Sequence, residues 1–379
     1  MKKISSAIFL AALLVFINCK NNAGDAVGKN DSNDSVKTFY ESIIKLGNGF
    51  IDVFNAFSGL VADTFFKADP KKSDVKIYFE SISKTLTETK NKLGEKLGSS
   101  AGKGENSSSG KASVKSAVES AVDEVSKWLE EMIKAAKEAA TVGAGGGADK
   151  IGDVGADNNK GAKADASSVN GIANGIKGIV DAAGKAFGKD GKDGDALKDV
   201  KTVADDDKKE AGKLFAGANG NAGADAAEIG KAAGAVTAVS GEQILKAIVD
   251  AAGAADQAGV KAAEAKNPIE AAIGADAAGA AFNEDEMKKS DKIAAAIVLR
   301  GVAKDGKFAV AADDGKASVK SAVESAVQKT FTALTNVVRK AVETGLKKVA
   351  DAVQKESGSS GKKASSTSST SSTDTASSS

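Results

Sequence analysis

Cys19 is the single cysteine of this 379-residue chain, and histidine is absent. These two facts set most of the chemistry open to it. No Ser-His-Asp or Cys-His nucleophile can be assembled. No histidine or multi-cysteine zinc site can form, and no disulfide can close within the chain. What Cys19 can do is set by what precedes it. Lys2 and Lys3 make a basic start, and Ile8 to Ile17 is an apolar run too short to cross a bilayer. Residues 1–18 therefore read as a secretory signal. Cys19 stands where a bacterial signal peptide is cut and the new terminal cysteine acylated, although Phe16-Ile17-Asn18 departs from the usual Leu-Ala-Gly box. Lipidation at Cys19 is the one covalent chemistry the sequence predicts. Each buried methylene contributes about 0.8 kcal/mol, so several acyl chains would make a lasting anchor.

The other candidate sites have plainer readings. Asp190, Asp193 and Asp195 imitate a calcium loop, but Lys192 interrupts the pattern and no glutamate closes it. The glycines of Thr141 to Gly147 lack the Gly-Lys-Ser/Thr ending of a phosphate loop and follow a helix, not a strand. Lys288, Lys289, Lys292 and Lys304 form at most a weak basic patch, better read as a solvated face. Paired carboxylates would be needed for a carboxylate-only hydrolase, and no motif proposes a pair. No catalytic residue, metal or cofactor is called for. With 52 Lys+Arg against 51 Asp+Glu, the net charge of +1 gives no support to nucleic-acid binding. Arginine occurs only at Arg300 and Arg339, which disfavours bidentate clamping of phosphate as an activity.

The elements that must carry such a chain are helical. Val36, Phe39, Ile43, Phe50, Phe54, Phe57 and Val61 share one face, and Pro70 closes that element. Ser73 is a candidate N-cap for a second helix with Val75, Tyr78, Phe79, Ile82 and Leu86 inward. Gly98 to Gly110 reads as a loop. Further helices are expected after Ser168, after the capping box Ser240-Gly241-Glu242-Gln243, after Asn267-Pro268 and after Ser290. Gly171, Gly175 and Gly178 cost helix propensity and permit close helix contact. No stretch alternates with period two, so no sheet is expected. The large side chains gather near the N-terminus, and the middle must pack with Ala, Gly, Ile and Val.

One phrase occurs twice without change. Gly110 to Val122 and Gly315 to Val327 both read GKASVKSAVESAV. Each is expected to open a helix, with Ser113 as N-cap in the first and an apolar stripe at three- and four-residue spacing. Two similar helices do not require identical sequence. The identity reads as a property of the gene, two matching DNA blocks around an exchangeable middle; a recent partial duplication is the other explanation.

Longer strings carry a resemblance. The leader MKKISSAIFL, then KLGNGFIDVFNAFSGLVAD, DPKKSDVK, KAAGAVTAVSGEQILKAIV, EAKNPIEAAIG and MKKSDKIAAAIVLRGVAKDGKFAV (287–310) resemble the variable large protein family of Borrelia surface lipoproteins across nearly the whole chain. The resemblance implies an all-α fold: an elongated multi-helix bundle with long loops at its membrane-distal end. It also implies a central cassette flanked by direct repeats and rewritten from silent copies. Segment 287–310 is similar to an invariant, antibody-recognised segment of that family. The Ser/Thr-rich tail and this particular repeat depart from the family pattern.

The two readings give one layout. Residues 1–18 are the signal, 19–34 a lipidated flexible tether, 35–109 an N-terminal helical part, 110–327 the repeat-flanked variable region, 328–355 a C-terminal helix and 356–379 a disordered tail. Gly143 to Asp165 and Gly188 to Asp225 are the expected variable, exposed loops. The implied function is a change of surface that defeats host antibodies, performed by a lipid-anchored antigen facing outward from the outer membrane. The alternative is adhesion through lysine clusters to host glycosaminoglycans or matrix proteins. A weak homo-oligomer is compatible with both.

Overall fold

A computed structural model describes residues 55–57, 59–101, 109–188, 193–201, 203, 208–253 and 255–362. Cys19, the 20–34 tether, the apolar face from Val36 to Phe54, Asp190, Lys192 and the tail from residue 363 lie outside the described residues.

The chain is all-α. A helical stretch over 59–65 is followed by α1 (Ser73–Ala101), α2 (Ser109–Gly143), α3 (Ala166–Lys185), α4 (Ala226–Ala238), α5 (Gly241–Ala251), α6 (Pro268–Ile273), α7 (Ser290–Val302) and α8 (Gly315–Lys362). No strand occurs among the described residues, only isolated bridges. The helix α1 lies along α2, and α2 along α3. The long α8 runs past α2, α3, α4, α5 and α7, so it is the spine of the molecule.

Local chemistry explains where helices start. Ser240 accepts from the Gln243 N–H, and the Gln243 side chain accepts from the Ser240 N–H, a closed capping box. Asn267 caps α6 with Pro268 at its first turn. Four expected caps are displaced. Asp165, not Ser168, caps α3 by accepting from the Ser168 N–H at 2.8 Å. Ser168 instead accepts from the Lys304 N–H. Ser73 and Ser290 are first helical residues rather than caps, and at α1 the Asp74 carboxylate accepts from the Lys71 N–H at 2.7 Å. Helix α2 begins at Ser109, which places Ser113 inside it.

The Gly98–Gly110 loop is shorter than expected, because α1 reaches Ala101 and α2 starts at Ser109. Likewise α8 continues past Glu356 to Lys362. A helix already nucleated by a packed stripe extends at little cost through polar residues.

The core has two characters. Around α1 and α8 it is aromatic: Phe65, Tyr78 and Phe79 surround Phe331, with the Phe65 and Tyr78 rings each centred 4.7 Å from it. Between α2 and α3 it is made of small residues. A Cβ added to Gly171 would come within 2.6 Å of Val142, and one on Gly175 would overlap the Ala139 methyl. Glycine there lets the two backbones approach closely, which offsets its helix cost.

The connection 143–165 and the described residues of 188–225 are exposed only in part: Asp157, Asn158, Lys160 and Asn219 face solvent, whereas Ile151, Ala164, Leu197, Leu214 and Phe215 are buried. Segment 307–310 binds both through main-chain hydrogen bonds: Gly155 N–H to Phe308 O, Ala162 N–H to Lys307 O, Ala224 N–H to Ala309 O and Ala309 N–H to Leu214 O. Buried backbone needs partners, and loops that supply them to one another become part of the core.

Candidate functional site

The segment singled out by its sequence, 287–310, is the centre of the fold and not a surface. Helix α7 packs against α4, α5, α6 and α8, and Ile293 through Val302 are all buried. What this segment shows to solvent is its edges, Lys304 and Asp305 at one end and the acidic residues 284–286 before the other. Three of the four lysines of the expected patch face carboxylates at short range, and the exposed Lys304 is not among them. Lys288 pairs with Asp285 at 2.8 Å, Lys289 with Glu286 at 2.6 Å, and Lys292 lies 3.8 Å from Asp250.

Two buried cations flank the C-terminal end of α7. Arg300 is fully buried. Its Nη2 donates to Ala162 O at 2.9 Å, and its guanidinium lies 5.2 Å from the Phe215 ring centre. Nε and Nη1 have no partner in the protein, and burial pulls the guanidinium pKa down to about 9. Gly274, at φ +71°, packs directly on the guanidinium, where a side chain would collide. Lys72 is also fully buried, and its ammonium donates to Ala303 O at 2.7 Å and to Gly306 O. Burial lowers its pKa to about 8, opposed by the charges of Asp149 and Asp153. Neither residue was marked by its sequence context. Lysine and arginine are seldom fully buried, and these partners are carbonyls far away in the chain.

Among the described residues no three His, Cys, Asp or Glu side chains converge as metal ligands, and no helix is long and apolar enough to cross a membrane. Asp195, from the imitation calcium loop, accepts from the Leu197 N–H and so serves its own turn. A crevice of about 140 Å³ lies between Gln243, Lys246 and Asp250 of α5 and Lys289, Asp291 and Lys292 near the start of α7. The second is an open groove where α8 passes Gly241 beside the exposed Phe66.

The two identical stretches occupy different surroundings. Copy one lies in α2 and copy two opens α8. Their equivalent residues bury alike: Val118 with Val323, Ala121 with Ala326, Val122 with Val327. Their neighbours differ. Val323 packs on Gly152 and Gly301. Glu119 is exposed, whereas its equivalent Glu324 is half-buried 3.8 Å from Lys320, and desolvation raises its pKa. Just beyond copy one, Val125 meets Gly345 of α8. From Val323 to Gly345 the helix rises roughly 33 Å, so the copies sit near opposite ends of the spine.

Comparison with known proteins places this architecture. Residues 50–353 match the family model described as Borrelia lipoprotein. Variable large protein 4 of Borrelia hermsii is 34% identical over 357 residues, covering 93% of each chain. Variable large protein 17 of the same organism is 33% identical over 350 residues, covering 88% of this chain and 87% of its own. The crystal structure of the Lyme disease variable surface antigen VlsE of Borrelia burgdorferi superposes with a TM-score of 0.68 at 48% identity, covering 83% of this chain and 98% of that one. With the family model over most of its length, close full-length relatives and a shared all-α fold, this chain belongs to the Borrelia lipoprotein family of variable large proteins.

Proposed function

We propose that this protein is a lipid-anchored variable surface antigen whose repeat-bounded region, 110–327, is exchanged so that host antibodies lose their target. The observation that carries the reading is the pair of identical stretches at opposite ends of the spine. Their shared sequence serves two unlike environments, and in one of them Glu324 is left half-buried. Packing asks only for the shared apolar stripe; Lys316 and Lys320 of copy two pair with Asp313 and Asp69, contacts that do not call for an identical second copy, and unbroken identity suits a recombination border. Function then resides in which side chains the surface presents, and needs no catalysis.

In this reading Cys19 carries the acyl chains, residues 20–34 are the tether and the fold faces outward from the outer membrane. Host antibodies are the partners. The family membership and the VlsE likeness support this placement. Adhesion to sulfated glycosaminoglycans is less well supported, because Lys288, Lys289 and Lys292 already face carboxylates within 4 Å.

The test is made on cells. Expressed in Borrelia, the wild-type chain should label with palmitate, partition with membranes and be removed from intact cells by added protease. Cys19→Ser should lose label and membrane partitioning together. Protease resistance on intact cells, or a Cys19→Ser chain that still labels and partitions, would contradict the anchored, outward-facing reading.

A further inference from the structure

Asparagine is a labile residue. It is most so before glycine, which has no Cβ to keep the next backbone nitrogen from reaching the side-chain amide. The described residues hold three such pairs, Asn170-Gly171, Asn174-Gly175 and Asn219-Gly220. The fold treats them differently. Asn170 is buried. Its amide nitrogen donates to Ala166 O and Gln257 O, both at 2.9 Å, and its amide oxygen accepts from the Gln257 N–H at 3.0 Å. Asn174 is exposed but lies inside α3, where each N–H is bound to the carbonyl four residues earlier. Gly175 is also pressed onto Ala139 of α2, with no room for a side chain.

Asn219 meets neither restraint. It is exposed, in the connection between α3 and α4. Ala218 and Asn219 are the central residues of a turn in which the Gly220 N–H donates to Gly217 O at 3.0 Å. Freeing the Gly220 nitrogen opens that turn; freeing the Gly175 nitrogen unwinds a helix packed on its neighbour. Local opening of a turn costs less than opening of a packed helix. Other exposed asparagines outside the helices, Asn158, Asn221 and Asn283, precede Asn, Ala and Glu, whose Cβ atoms obstruct the attack.

We infer that Asn219 is a modification site, where the side-chain amide converts without an enzyme to aspartate and isoaspartate. The Gly220 nitrogen gives up its proton and attacks the Asn219 side-chain carbonyl carbon. A C–N bond forms to close a cyclic imide, the bond to the amide nitrogen breaks, and ammonia leaves with that proton. Water then opens the imide at either carbonyl. One opening restores the main chain with aspartate at 219; the other routes the main chain through the side chain as isoaspartate. No electrons are transferred, and water is the only co-reactant. Either product places a new carboxylate on the exposed turn. It stands beside Ala218, whose N–H donates to Asp276 at 3.4 Å, and Asp276 in turn pairs with Lys163. The isomer also lengthens the main chain of the turn by one methylene. The surface therefore changes with the age of the molecule while the gene stays the same. Its consequence for antibodies rests on the reading that this surface is displayed to them.

The purified full chain, aged in mildly alkaline buffer, tests the site. Peptide mass mapping reads the exchange of amide for acid, and an isoaspartyl methyltransferase labels the isomer. Conversion at Asn219 should outrun that at Asn174 by about tenfold or more, with Asn170 unconverted. The same chain unfolded in denaturant should convert all three at similar rates, because the dipeptide is the same. Asn219→Gln should remove the signal at 219 and leave the other two rates as they were. Equal rates at 219 and 174 in the folded chain would overturn the inference. So would an Asn219 that keeps its amide when folded and converts only when unfolded. If the surface is not displayed, protease on intact cells will show it and the mass map will stand.

Discussion

The hydroxyls of Tyr78 and Thr335 lie 2.7 Å apart inside the aromatic cluster that joins α1 to α8. Tyr78 also donates to Phe331 O at 3.0 Å, so Thr335 must be the donor in the shared bond. Both ends of this link lie outside the repeats, and burial holds the phenol well above its usual pKa. Tyr78→Phe would remove the extra bond to Phe331 O, which keeps its helical partner, and would leave the Thr335 hydroxyl without its acceptor. The expected loss is about 1–3 kcal/mol, measured by chemical unfolding. An unchanged midpoint would show that the link adds nothing to the frame.

Arg300 predicts the opposite sign. It is a buried cation without a carboxylate partner, held by one hydrogen bond and an aromatic face. Replacing buried charges by apolar side chains of similar volume is often neutral or stabilising by about 1–4 kcal/mol. Arg300→Met should therefore leave the unfolding midpoint equal or higher. A clear fall would mean that the guanidinium has partners that outweigh its desolvation.

Lys72 gives a pH signature. Its amine has a pKa of about 8 in the fold and an ordinary value of 10.5 outside it. Between these two values the unfolded chain binds more protons, so this group makes stability rise with pH across that window. Below about pH 8 both states are protonated and the slope vanishes. Asp149 and Asp153 oppose the shift, and Arg300 and Lys307 add to it. The wild-type stability minus that of Lys72→Met should climb from pH 8 to 10.5. A flat difference would place the amine pKa near its ordinary value.

These residues also mark how far the sequence could be read. The boxes at Ser240 and Asn267-Pro268 were legible because an N-cap is a local pattern of three or four residues. The cap falls at Asp165 and not at Ser168 because Asp165, three residues earlier, accepts from the Ser168 N–H and starts the helix one turn sooner. The burial of Lys72 is not legible, since a lysine ordinarily signals a solvated face and carbonyl acceptors leave no trace in residue type. The burial of Ile151 and Ala164 is illegible for the same reason: the Ile151 N–H donates to Pro70 O and the Ala164 N–H to Ile273 O, and main-chain pairing across such separations has no local signature. The repeat was the reverse case, plain in sequence and without structural necessity.

The central claim is that the region between the repeats changes while the frame does not, and the gene tests it directly. The locus should be sequenced in clonal descendants grown with and without antibody pressure. Substitutions should appear only under pressure, confined between Gly110 and Val327, with Lys72, Tyr78 and Thr335 unchanged. A central region that stays fixed under strong pressure, or changes that fall equally in the frame, would contradict it.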